Sequence, residues 1–124
     1  MRPLYPQFYI LSSQSLDSLE EDVKDLPRQK VKGCYTMRTT GEKIIEDSFV
    51  VYTDADDFIL ELLKKHKQES ALKVYPMRDA SLLFSSGKEE LLGFFRPLDN
   101  LRLEDFENWT YCYALKKYFV VVDN

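Results

Sequence analysis

The sequence predicts an α+β domain in which two helices cover one face of a mainly antiparallel sheet. Three observations predict it. Apolar residues recur at helical spacing in two places, Leu16, Leu19, Val23 and Leu26, and then Phe58, Ile59, Leu62 and Leu63. Around them run alternating stretches rich in Ile, Val, Phe and Tyr, each bounded by turn residues. Up to residue 75 the order reads β-α-β-β-α-β, that of a ferredoxin-like split unit, and additional antiparallel strands extend it.

Residues 5–11 alternate and then fill with apolar side chains, which predicts a first strand. The polar turn Ser12, Ser13, Gln14 and Ser15 follows. Residues 16–26 form an amphipathic helix whose outer face carries Asp17, Glu20, Glu21, Asp22 and Asp25, with Pro27 as its stop. Residues 31–40 and 43–53 pair as a hairpin around Thr40, Gly41 and Glu42. Asp54, Ala55, Asp56 and Asp57 open the second helix, and Lys64, Lys65 and Lys67 close it, an arrangement that suits the helix dipole. Residues 70–75, 80–84 and 91–96 are strands, with turns at Pro76, Met77, Arg78 and Asp79 and at Ser86, Gly87 and Lys88. Residues 103–108 carry a short helical pattern, and 110–115 and 118–122 are the last strands.

No repeat, linker or biased tract interrupts the chain, so residues 1–124 read as a single globular domain. Seventeen basic against twenty-one acidic residues argue against attachment to nucleic acid by bulk positive field, while the excess of acid is too small for a DNA mimic. Cys34 and Cys112 cannot make a disulfide framework, which predicts reduced thiols in a cytosolic protein. Residues 1–11 are too short and too Pro-punctuated for a signal peptide, and no run of about 18 apolar residues could cross a bilayer. The expected location is therefore the cytoplasm, without membrane contact.

The local motifs are incomplete. A calcium loop starting at Asp54 would need Gly and Glu where Ile59 and Lys65 stand, so Asp54 reads as a helix N-cap. Ser86, Gly87, Lys88 and Glu89 look like a fragment of a phosphate loop, but Leu82 occupies the first Gly position and Glu89 the Ser or Thr position. His66 is the single histidine, and a solvated ring among lysines is the expectation. No metal site and no cofactor are predicted, and no residue is assigned as catalytic.

Three groups remain. Trp109, Tyr111 and Tyr113 alternate, so in a strand their rings share one face; with Phe106 they are the interface candidates, for a protein partner before stacked bases. Lys64, Lys65 and Lys67, with Lys73 and Arg78, are the basic-patch candidates. Glu46 and Ser48 share a strand face, and Gln68 and Ser70 stand where the second helix gives way to a strand, which makes these four the polar-site candidates.

Gly33-x-Tyr35, then Glu46-x-Ser48-Phe49-Val50-Val51, a helix, Gln68-Glu69-Ser70, and an apolar strand with Ala80 and Gly87 resemble an uncharacterised family of small α+β domains of bacteria and their phages. The similarity spans residues 8–93. It implies no known reaction, but singles out Glu46, Ser48, Gln68 and Ser70 among the polar residues. The functional expectation is a cytoplasmic accessory or regulatory factor of a bacterial or phage-infected cell, acting by binding another protein rather than by catalysis. The alternatives are a small-ligand-binding or enzymatic domain with its site near Glu46 and Gln68, and single-stranded nucleic-acid binding through the aromatic sheet face and the Lys64–Lys67 cluster, which the charge balance disfavours.

Overall fold

The alternating segments do form strands, eight of them, and the order along the chain is β1 (Phe8–Leu11), α1 (Leu16–Asp22), β2 (Arg28–Thr36), β3 (Lys43–Tyr52), α2 (Asp56–Lys65), β4 (Ser70–Val74), β5 (Asp79–Phe84), β6 (Glu89–Pro97), β7 (Trp109–Cys112) and β8 (Lys117–Val122). This architecture is that of a computed structural model, which describes residues 6–37, 39–98, 106 and 108–122. The helical pattern at 103–108 lies largely outside those residues.

The layered α+β expectation is overturned, because the sheet is a closed antiparallel barrel of order β1-β3-β2-β7-β8-β6-β5-β4, with β4 returning to β1. In a split unit β4 and β2 would be the free edges. Here β5 continues from β4, with Ser70 opposite Phe84, and β7 pairs with β2, with Cys34 opposite Trp109. Strands β6 and β8 join the two ends through Phe95 and Val121. Side-chain alternation signals that a segment is a strand and says nothing about its partner, so closure was invisible to it.

The two helices are short and lie on one outer flank. Ser15 caps α1 by accepting the N–H of Ser18 at 3.4 Å, and the helix ends at Asp22 rather than at 26. The N-cap of α2 is Ala55, not Asp54, and no side chain caps it. Its C-terminus closes with Lys67 at φ 54 and the N–H of Gln68 donating to Leu63 O at 2.9 Å.

Apolar side chains therefore fill two layers. Outside, Tyr9, Leu11, Phe49, Val51, Ala71 and Leu83 pack beneath Leu19, Val23, Ile59, Leu62 and Leu63 of the helical flank. Inside, Ile10, Val31, Val50, Val74, Ala80, Phe95 and Cys112 fill the barrel with Phe8, Tyr52, Leu72, Phe119 and Val121. Phe95 stacks on Phe119 at 5.2 Å and meets Phe8 edge-on at 5.6 Å. Much of the aromatic content is thus barrel filling.

Candidate active site at the barrel mouth

The interior is apolar at one end only. Phe8 and Ile10 face inward from β1, and the next inward position is Ser12, whose Oγ donates to Asp47 O at 2.8 Å. On β3 the same face runs from Tyr52 and Val50 to Ser48 and Glu46. On β4 it runs from Val74 and Leu72 to Ser70, opposite Phe84, and Glu90 of β6 lies opposite Leu82. One end of the barrel is consequently lined with serines and carboxylates.

Strand β2 completes this mouth. Gly33 stands opposite Glu46 and Tyr35 opposite Ile44, so both share the inward face. A Cβ at Gly33 would meet Ser48 Oγ at 3.4 Å, and its absence leaves free space beside the serine. The Tyr35 hydroxyl lies beside Glu46: burial first, then the neighbouring Glu46 carboxylate, and finally the charge of Glu69 push the Tyr35 hydroxyl up to about 12. Tyr35 keeps 39% of its surface exposed, so its ring stands at the rim.

Beside it a cleft of about 320 Å³ is lined by Glu69, Phe84, Ser85, Ser86, Lys88 and Glu90. Glu69 links the cleft to the Tyr35–Glu46 pair, because its charge is felt at Tyr35. A larger hollow of about 410 Å³ lies between α1 and β2, lined by Leu16, Asp17, Glu20, Arg28, Lys30 and Phe49. Its cations are already matched, Arg28 with Glu20 at 3.3 Å and Lys30 with Asp47 at 3.8 Å. The mouth, where the Glu46 and Glu69 charges are both felt at Tyr35 and Lys88 is the one cation among the described residues lining the cleft, is the better place for a positively charged ligand.

Of the polar candidates, Glu46, Ser48 and Ser70 come together on the inner face. Gln68 does not join them: its amide donates to His66 O at 3.2 Å and caps α2. Tyr35, Glu69, Glu90 and Lys88 belong to the mouth; Tyr35 and Glu69 stood in the motifs that carried the resemblance and Lys88 in the rejected phosphate-loop fragment, but none of the four was a site candidate, and Glu90 was not singled out at all. The hairpin register that carries Glu46 also carries Tyr35, a signal present in the sequence.

The aromatic candidates lie elsewhere. Trp109 and Tyr111 are on the outer face of β7, where Tyr118 meets them at 5.4 and 4.8 Å, and the strand ends at Cys112 before Tyr113. The Tyr113 hydroxyl donates to Asp47 at 2.8 Å, and Phe106 is half-buried. Among the lysines, Lys65 is paired with Asp22 at 2.8 Å, Lys64 and Lys67 are exposed, and Lys73, expected on a basic patch, is buried against Asp56.

His66 is buried rather than solvated. Its Nδ1 lies 2.8 Å from Ser13 Oγ and its Nε2 2.8 Å from Asp22 Oδ2. Hydrogen bonds from Lys65 and His66 outweigh burial and hold the Asp22 carboxyl below its usual range. The Ser13–His66–Asp22 chain has the order of a nucleophilic triad, but neither cleft reaches Ser13, and the Ser13 Oγ is occupied by the N–H of Ser15 at 3.0 Å. It ties the β1–α1 loop to the ends of both helices.

Among the described residues no group of His, Cys, Asp and Glu is arranged to hold a metal ion, and no helix is long and apolar enough to cross a membrane. No curated protein and no solved structure matches the chain. A family model, that of the S-adenosylmethionine lyase family, matches residues 10–122 and so takes in all the elements from β1 to β8 except the start of β1. An enzyme family overturns the expectation of a non-catalytic, protein-binding accessory factor, and it supplies a reaction where the resemblance implied none. The alternative of an enzymatic domain fits better. With the match covering nearly its whole length, the chain belongs to the S-adenosylmethionine lyase family.

Proposed function

We propose that this protein is a lyase that takes S-adenosylmethionine at the barrel mouth and breaks a carbon–sulfur bond of its sulfonium. The substrate is a cation at sulfur, and the mouth offers Glu46 and Glu69 beside an open cleft; this pair of carboxylates in a chain of the family is the observation that carries the reading. Tyr35 stands beside Glu46, whose charge is felt at its hydroxyl. Phe84 supplies a ring against which a flat base can lie.

In the reaction the electron pair of the broken bond goes to sulfur, which leaves as a neutral thioether. A lyase uses no water, so the pair that satisfies the departing carbon comes from the substrate itself, either from a neighbouring C–H bond or from one of its own nucleophilic groups. In the first case Glu46 is placed to take the proton; in the second its work is to hold the sulfonium and orient the reacting arm. Because positive charge disappears from sulfur as the bond breaks, carboxylates favour the bound substrate over the product. Orientation and exclusion of water are therefore the larger part of the contribution expected from this chain.

The test is incubation of the purified protein with S-adenosylmethionine, followed by chromatography for loss of the sulfonium and formation of a neutral thioether. Glu46→Gln keeps the shape of the side chain and removes its charge, and a loss of roughly 100-fold in kcat/KM with an unchanged melting temperature is expected, whether Glu46 takes a proton or holds the sulfonium. Substrate left intact by the wild-type protein, or full activity in Glu46→Gln, would overturn this reading or its site, respectively.

A further inference from the structure

We infer that Ser48 is a specificity residue whose hydroxyl pairs with a ribose hydroxyl of the substrate's adenosyl arm, an inference that rests on the reading of the mouth as an S-adenosylmethionine site. Ser48 follows Glu46 on the inner face of β3 and is 4% exposed. A hydroxyl so deeply placed is normally paired within the fold, as the neighbouring Ser12 is with Asp47 O at 2.8 Å. Among the described residues the Ser48 hydroxyl has no hydrogen-bond partner. The fully enclosed side-chain polar atom left without a partner among those residues is Arg28 Nε, so the Ser48 oxygen is not enclosed, and the little surface this serine keeps includes its hydroxyl.

Gly33 makes the room beside it. This glycine stands opposite Glu46 on β2, and a Cβ there would lie 3.4 Å from Ser48 Oγ and 3.9 Å from Glu46 O. The gap left by the missing methyl group therefore adjoins both the serine hydroxyl and the backbone that carries Glu46. On the inner faces of β2, β3 and β7 its neighbours are Val31, Tyr35, Glu46, Val50, Thr110 and Cys112, with no cation among them. A substrate carboxylate placed here would face Glu46 without a counter-charge, and an ammonium would compete with the sulfonium for that same carboxylate. An adenine ring is too broad for a gap one methyl group across. A ribose hydroxyl is neutral, projects as a single oxygen, and both donates and accepts, as Ser48 does. A substrate without that hydroxyl leaves Ser48 unpaired, which is how the serine discriminates.

Three substrates and one variant separate the contributions. The wild type should cleave S-adenosylmethionine with a kcat/KM about tenfold above that for its 2′-deoxy or its 3′-deoxy analogue, whichever lacks the hydroxyl that Ser48 meets. In Ser48→Ala the value for S-adenosylmethionine should fall about tenfold and that for the analogue stay within about twofold, so that the preference disappears. The melting temperature should not fall, because the hydroxyl removed has no partner in the fold. Equal losses on all three substrates, no loss on any, or a lowered melting temperature overturn the assignment of Ser48. If the wild type cleaves S-adenosylmethionine and both analogues equally well, only the role of Ser48 falls. If it leaves S-adenosylmethionine intact, the underlying reading falls and this inference with it.

Discussion

Two clusters of charge sit on opposite faces of the same barrel wall, and they are built on opposite rules. On the outer face, Lys73 lies 2.9 Å from Asp56 and 3.6 Å from Glu89, with its ammonium 4.6 Å from the centre of the Tyr75 ring. The Tyr9 hydroxyl donates to Asp56 and that of Tyr75 to Glu89. Each charge there has an opposite neighbour. At the mouth, the charges of Glu46 and Glu69 are both felt at the Tyr35 hydroxyl, and Lys88 is the one cation among the described residues lining the cleft. A cluster in which every charge is matched stabilises the fold; two carboxylates beside one hydroxyl gain from a cation that enters. The comparison teaches which of two polar clusters to read as structure and which as a site.

The contrast can be broken at either end. The largest effect is expected from Glu46→Gln, roughly 100-fold in kcat/KM, with the urea midpoint unchanged. A midpoint that falls would assign Glu46 to the fold instead. The reverse pattern is expected of Lys73→Met. It leaves Asp56 and Glu89 without their cation and should cost about 2 kcal/mol in urea unfolding, less than a fully buried pair because solvent screens the partly exposed Asp56. Turnover by the fraction that stays folded should be that of the wild type.

Acid sharpens the same comparison. Burial by itself would raise Asp56, but hydrogen bonds from Tyr9 and Lys73 hold it below its usual range; Glu89 is likewise depressed, by Tyr75, Ser81 and Lys73 acting against burial. Groups depressed in the folded state contribute stability that is fully present above the unfolded carboxylate range and lost as pH falls through the folded values. Unfolding titrations should accordingly show stability flat from neutral to about pH 5 and declining below about pH 4, with the decline diminished in Lys73→Met. A smaller loss is expected of Tyr35→Phe, about tenfold in turnover, since Glu46 keeps its charge and loses the polar neighbour beside it. Smallest is Gly33→Ala. Its Cβ would touch Ser48 Oγ at 3.4 Å, so affinity for substrate should fall a few-fold at most, roughly, while stability stays within about 1 kcal/mol.

Period-two alternation made most of the strands legible, and the register of the β2–β3 hairpin was in principle legible too, since the turn at Gly41 sets it. That register places Gly33 and Tyr35 with Glu46. What alternation could not convey was the path of the last four strands, and with it the inner face as an inside. Ser70 shares the inner face with Glu46 already in the β4-β1-β3 order of a split unit, whereas Phe84 and Glu90 join that face through the later strands β5 and β6. Local rules failed where tertiary contacts outbid them. Asp54 has the chemistry of an N-cap, yet α2 begins after Ala55, and the acid that matters is Asp56, drawn to Tyr9 and Lys73. His66 follows lysines in sequence and meets Ser13 and Asp22 in space, residues 53 and 44 positions away.

Closure of the barrel reaches beyond the site. Each of the eight strands has a hydrogen-bonded neighbour on both sides, but not along its whole length: β3 pairs with β2 over Lys43–Val51 and with β1 only over Phe49–Tyr52. Along the lengths paired on both sides, growth of the sheet from one molecule into the next, the usual route to fibrils, requires the barrel to open first. The shortest seam is β1–β4, with three registered pairs from Phe8 opposite Val74 to Ile10 opposite Leu72, and such an opening would begin there.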